Sequence, residues 1–287
     1  MLQITNNSTL RTQIILFPEK NVQELTFFDE IEKKNIVEKL NAGVKMLPIT
    51  KQHKIYILIP VKPTENKNES YEKMRIAGNS LYKLMVEYKE EKIAFSTLGE
   101  LDKKIIKSFL LGLNLSNYQF DKYLKTKNSF NIQVQLSSKT LDKASVDEIN
   151  LLSASTKITK DLVNEPVSFL TAAQYSKEIQ KIGKEAGFTV TVWNQKKIEQ
   201  EKMGGIIAVN KGSSAPATFN ILEYKPLKPK NKQPLVLIGK GVVFDTGGIS
   251  IKPSTGMAAM KCDMAGSALV VGSMQAIALA KLPYHII

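Results

Sequence analysis

The apolar positions of this 287-residue chain fall into short runs and one-sided stripes, the rhythm of alternating strands and helices. Lys54 to Val61 (KIYILIPV) is β-branched and of strand length, which predicts a buried strand. Ser70 to Glu87 reads as a helix, Lys92 to Ser96 as a strand, and Asp102 to Leu113 as an amphipathic helix; Phe130 to Leu136 alternates as a strand does. Ser145 and Glu148 have capping-box spacing and open a helix predicted to reach about Val163. Asn164-Glu165-Pro166 ends it, because the residue before a proline is pushed out of helical geometry. Thr171 and Gln174 form a second capping pair, followed by an apolar stripe of Ala172, Tyr175, Ile179, Ile182 and Ala186 and closed by Gly187.

From Phe188 the pattern predicts a strand (FTVTVW), a short helix near Lys196 to Met203, then strands at IIAV and TFNILEY. Leu235 to Ile238 (LVLI) is a continuous apolar run between Pro234 and Gly239, as expected of a strand buried on both faces of a sheet. A long apolar helix follows over about Met264 to Ala280, and Leu282 to Ile287 begins another strand. The sum is an α/β fold in two parts. A small N-terminal α/β domain is expected over residues 1–143 and a linker helix over 144–166; an incomplete mixed-sheet α/β catalytic domain would occupy 167–287.

Composition narrows the classes. Hydrophobic residues make up 43% and charged residues 23%, ordinary globular usage. No uninterrupted apolar run approaches the roughly 18 residues that span a bilayer, so no membrane partner is expected. The start, MLQITNNSTL, lacks the basic and apolar regions of a secretory signal. Cys262 stands alone, which excludes an internal disulfide and makes a cytoplasmic setting the default expectation. The net charge of +13 raises nucleic acid as a partner. Yet Arg11 and Arg75 are the two arginines, and scattered lysines recognise phosphate and bases poorly, so a solvated lysine surface is favoured. Lys225 to Lys232 (KPLKPKNK) likewise reads as a solvated loop.

The candidate chemistry lies just after the LVLI run. Gly239 to Gly248 (GKGVVFDTGG) begins a stretch holding Lys240, Asp245, Lys252 and Asp263, punctuated by glycines that let backbone approach an ion or substrate. Carboxylates without a neighbouring histidine suit magnesium or manganese, and zinc where geometry dictates. A lysine can join such a set after losing its proton. The same four side chains could instead form a surface ion-pair network, and the residues alone leave both readings open. Cys262 has no histidine nearby in sequence to raise its thiolate fraction, so a nucleophilic role is not expected. His285 reads as a packed residue, and His53 receives no role.

The wording GKGVVFDTGGISIKPSTGM followed by MKCDMAGSA resembles the signature of the M17 leucyl aminopeptidase family. DLVNEP at Asp161 to Pro166, MGG and AVNKGS around Met203 to Ser213, and ILEYKP support the likeness, and FLLGLNLSNYQFDKYL extends it weakly into the first half. The resemblance implies a two-metal exopeptidase that removes N-terminal residues from peptides, using manganese or zinc, or magnesium, and assembling as a hexamer. It implies that Lys240 and Asp263 bind one metal, Asp245 bridges both, Lys252 polarises the scissile carbonyl, and Met260 lines the pocket for the first side chain. Met260 could equally be core filler. The family's second signature, an NTDAEGR-like segment, does not occur here, so the chain is expected to be a partial form. Two divalent ions would bring four positive charges against two carboxylates. At most one weak ion and negligible peptide hydrolysis are therefore expected of this chain. A rival expectation is a non-enzymatic protein that binds nucleic acid or a partner.

Overall fold

In the first part of the chain successive apolar side chains go to opposite faces of one sheet. The computed structural model describes residues 1–5, 9–62, 64–126, 130–137 and 139–287. It divides into two compact units, Met1–Ser153 and Ala154–Ile287. The first unit contains β1 (Leu2–Ile4), β2 (Thr12–Pro18), α1 (Glu30–Asn41), β3 (Leu47–Lys51), β4 (Lys54–Val61), α2 (Lys67–Tyr88), β5 (Lys92–Thr97), α3 (Lys103–Ser116) and β6 (Gln133–Leu136). The sheet order is β1-β6-β5-β2-β4-β3, parallel throughout except for the antiparallel β3–β4 pair.

Ile14 and Leu16 of β2 pack with Ile57 and Ile59 of β4 and with Leu81 and Phe109 of α2 and α3. Ile15, Phe17 and Leu58 pack on the other side with Ile36 and Leu40 of α1. With both faces covered, β2 and β4 read as unbroken apolar runs. α2 and α3 touch backbone to backbone: a Cβ on Gly112 would lie 2.1 Å from the Arg75 carbonyl oxygen, and one on Gly78 would lie 2.3 Å from that of Phe109.

Helix α4 (Lys143–Asn164) contains the boundary between the units and ends where Pro166 was expected to end it. Its start differs from expectation. Asp142 Oδ1 accepts the Ser145 amide at 2.8 Å, so Asp142 and not Ser145 provides the cap. The Asp142 carboxyl is held down to about 2, first by Lys103 and then by the Ser145 amide. Lys103 comes from α3, a neighbour that the local capping pattern does not reveal.

The second unit holds α5 (Ala172–Ala186), β7 (Thr189–Asn194), α6 (Gln195–Gln200), α7 (Gly204–Asn210), β8 (Thr218–Glu223), a 3-10 turn over Met257–Cys262, and α8 (Ala265–Leu279). α5 begins and ends as its sequence dictates: Thr171 accepts the Gln174 amide, and Gly187 closes the helix at φ +89°. β7 and β8 pair antiparallel. The IIAV segment is a correction, since it lies in helix α7. Four apolar residues satisfy either element, and β7 and β8 already pair with each other.

The LVLI run is the larger correction. Leu235 is 52% exposed and Ile238 90%, and neither is in a named strand. On one edge Leu235 donates to the His285 carbonyl, while Leu237 and Ile287 donate to Ile287 and Leu235. No strand among the described residues lies along the other edge, so the run is left half-paired. Leu282 to Ile287 likewise forms isolated bridges at Ile286, antiparallel to Tyr224 and parallel to Leu235. The core of this unit joins α8 to α5: Ala268, Val271 and Met274 are buried with Tyr175, Ile179 and Ile182. Met257–Leu279 is long and apolar enough to cross a membrane by length and composition; Met264, Ala268, Val271 and Met274 pack into the core of this unit, while Leu269 and Leu279 are exposed.

Candidate functional site

The site grows from two turns and the first turn of α8. Gly239 sits so close to α8 that a Cβ there would lie 2.5 Å from the Ser267 Cα and 2.6 Å from the Gly266 carbonyl oxygen. The Ser267 amide donates to the Lys240 carbonyl at 2.9 Å, fixing the backbone that carries Lys240. Downstream, the Gly247 amide donates to Asp245 Oδ1 at 2.9 Å, and the Lys252 amide donates to the Thr246 carbonyl at 2.9 Å. Gly247 adopts φ +86°, where a side chain would be strained and its Cβ would lie 2.4 Å from the Ser250 carbonyl oxygen. This tight turn brings Lys252 back onto Asp245.

Two ion pairs result. Lys252 Nζ lies 2.7 Å from Asp245 Oδ2 and 3.2 Å from Met260 Sδ. Lys240 Nζ lies 2.7 Å from Asp263 Oδ2. That oxygen is buried, and the Lys240 ammonium is the cation that faces it. The Asp245 carboxyl is held below its ordinary range, first by Lys252 and next by the Gly247 amide, with Lys240 adding to the effect. Contact with Asp263 raises Lys240, partial desolvation opposes this, and Asp245 adds to the rise. Lys240 therefore feels both carboxylates. Met260 lies on the 3-10 turn and Asp263 at its end, where the Asp263 amide donates to the Met260 carbonyl. Lys261 anchors that turn by donating to the Asn164 carbonyl at 2.6 Å.

Lys240, Asp245, Lys252, Met260 and Asp263 thus form one connected cluster of two ion pairs, in which each carboxylate meets an ammonium group. Two carboxylates are the hard oxygen donors of this cluster, and each is paired with a lysine. Asp245 and Asp263 are hard oxygen donors of the kind that suit a dication, and the buried Asp263 Oδ2 already faces the Lys240 ammonium at 2.7 Å. A second dication does not fit the residues seen here. Among the described residues no three His, Cys, Asp or Glu side chains converge, and two carboxylates cannot balance four positive charges.

Other candidates fall elsewhere. His285 is packed and bonded to Glu223 Oε1 at 2.8 Å, and Cys262 is an exposed free thiol. The pattern reading missed Ser267 altogether and took Tyr175 as plain core. A tyrosine in an apolar stripe is itself a signal, because its buried hydroxyl needs a partner; here that partner is Ser267 Oγ at 2.9 Å.

Fold and cluster together define an α/β protein that presents charged groups from glycine turns beyond an apolar extended segment. Residues 157–287 match the family model of the catalytic domain of the cytosol aminopeptidase family. A probable cytosol aminopeptidase of Chloroherpeton thalassium is 49% identical over 138 residues, 48% of this chain and 27% of the relative. That of Persephonella marina is 32% identical over 248 residues, 83% of this chain and 50% of the relative. The chain therefore spans half or less of the length of these relatives. The structure of the bottromycin maturation enzyme BotP in complex with Mn shares the fold, with a TM-score of 0.76 and 21% identity over 96% of this chain and 58% of that one.

Proposed function

We propose that this chain carries part of the site of a metal-dependent aminopeptidase, one that hydrolyses N-terminal residues from peptides. The observation that supports it most is the placement of Lys240 against Asp263 and within the field of Asp245. The family match, the names of the relatives and the manganese of BotP point the same way. Asp245 and Asp263 would hold one manganese or zinc ion, and Lys240, whose proton the two carboxylates now hold more tightly, would join them once the ion displaced that proton. A bound dication supplies Lewis-acid polarisation and a water of lowered pKa.

The chain's own groups account for the rest. Lys252 stands between Asp245 and the Met260 thioether, so a carbonyl oxygen entering beside Met260 meets an ammonium that can stabilise developing negative charge. Met260 provides an apolar wall for the first side chain of a peptide. The ion pair with Asp245 holds Lys252 in place until substrate arrives. With two carboxylates in the cluster, the chain by itself is assigned one weak ion and negligible turnover. A cytoplasmic location and a homo-oligomer, a hexamer for an intact relative, complete the proposal; cell fractionation and sedimentation test these.

Calorimetric titration of the full chain with Mn2+, repeated on Asp263→Asn, tests the metal assignment. A saturable one-ion isotherm, weakened at least tenfold by the substitution, is expected. Absence of saturable binding overturns the assignment. Hydrolysis of leucyl-anilide at the rate of an intact relative would overturn the conclusion that the cluster is incomplete.

A further inference from the structure

Ser267, in the first turn of α8, is tied to both segments that carry the Lys240–Asp263 pair. Its amide donates to the Lys240 carbonyl at 2.9 Å, and its hydroxyl donates to the carbonyl of Met264, the neighbour of Asp263, at 2.8 Å. A serine hydroxyl has one proton. With that proton committed to Met264, the Tyr175 hydroxyl 2.9 Å away must be the donor to Ser267 Oγ. The order is therefore Tyr175 O–H to Ser267 Oγ, then Ser267 O–H to the Met264 carbonyl. Glycines make the approach possible, for a Cβ on Gly241 would lie 3.3 Å from Ser267 Oγ and one on Gly266 would lie 3.2 Å from the Lys240 nitrogen.

Tyr175 is 3% exposed, on the buried stripe of α5, and packs in the same core as α8. Burial pushes its hydroxyl up to about 12, so it stays a protonated donor across the ordinary pH range. A phenylalanine would fill that core without the hydroxyl. The hydroxyl reaches one step from the paired residues.

We propose that Tyr175 and Ser267 are positioning residues: Tyr175 orients the Ser267 hydroxyl, and Ser267 sets the separation of the chain segments bearing Lys240 and Asp263. The consequence for metal affinity rests on the reading of that pair as metal ligands, whereas the positioning itself does not.

Two readouts on the full chain separate these. Amide hydrogen exchange at Ser267 reports the bond to the Lys240 carbonyl without any metal. Tyr175→Phe and Ser267→Ala should speed it about tenfold, while amides in β7 and α6 keep their rates. Ile179→Val trims the same core without touching the hydroxyl relay, and should leave Ser267 exchange within about twofold. The second readout is Mn2+ affinity, expected to fall about tenfold in Tyr175→Phe and to be kept in Ile179→Val. Unchanged Ser267 exchange in Tyr175→Phe, or equal acceleration in Ile179→Val, overturns the positioning role. If the parent chain binds no Mn2+, the metal reading fails and the exchange data alone decide the role of Tyr175 and Ser267. A variant that melts below the assay temperature is judged on the other hydroxyl-deletion variant.

Discussion

Replacing Gly239 by alanine tests whether the site depends on backbone contact between its first turn and α8. A Cβ at this position would meet the Ser267 Cα at 2.5 Å, the Gly266 carbonyl oxygen at 2.6 Å and the Gly266 carbonyl carbon at 2.7 Å, all main-chain atoms without a rotamer to turn aside. Ordinary contact begins near 3.4 Å, so the two segments must separate by about 1 Å. Overpacking of this kind costs roughly 1–3 kcal/mol. Alanine recovers about 0.4–1 kcal/mol by restricting the unfolded chain. The net loss is on the order of 1–2 kcal/mol, or about 3–8 °C in the melting of a unit this size. The separation also stretches the Ser267 to Lys240 hydrogen bond and draws Lys240 from Asp263, so Mn2+ affinity should drop about tenfold. Scanning calorimetry with Mn2+ titration checks both. A Gly239→Ala protein that melts within about 1 °C of the parent and binds Mn2+ equally would refute the argument.

Further outcomes follow from the cap of α4 and from the exposed run. The folded-state pKa of Asp142 lies below its ordinary 3.8, so its contribution to stability is complete above that value and is lost as pH falls toward about 2. Urea midpoints measured across that window should fall less steeply for Asp142→Asn than for the parent, and parallel curves would remove Asp142 as the cause. Ile238→Ser should change the stability of this chain by no more than about 0.5 kcal/mol, because the side chain is 90% exposed. A loss of about 2 kcal/mol or more in chemical denaturation would show that the run is buried after all.

Several elements were legible because their causes are local. α5 starts at Thr171 and stops at Gly187 through bonds that close within a few residues, and β4 occupies the predicted Lys54–Val61 span. The turn that returns Lys252 to Asp245 is local too, built on Gly247 and the Asp245 side chain, which is why the spacing of these residues already suggested a common site. Three features depended on distant partners. LVLI has the composition of a buried strand, but burial belongs to whatever lies alongside, and one of its edges is unpaired among the described residues. Asp142 displaced Ser145 as the cap of α4 in a setting that includes Lys103 of α3. Tyr175 and Ser267, 92 positions apart, meet because α5 and α8 share a core. Local hydrogen bonds and steric limits act on a few neighbouring residues, so the sequence by itself determined both ends of α5, the close of α4 and the glycine turns; burial and long-range pairing depend on which elements the fold brings together, and the tertiary structure alone decided them.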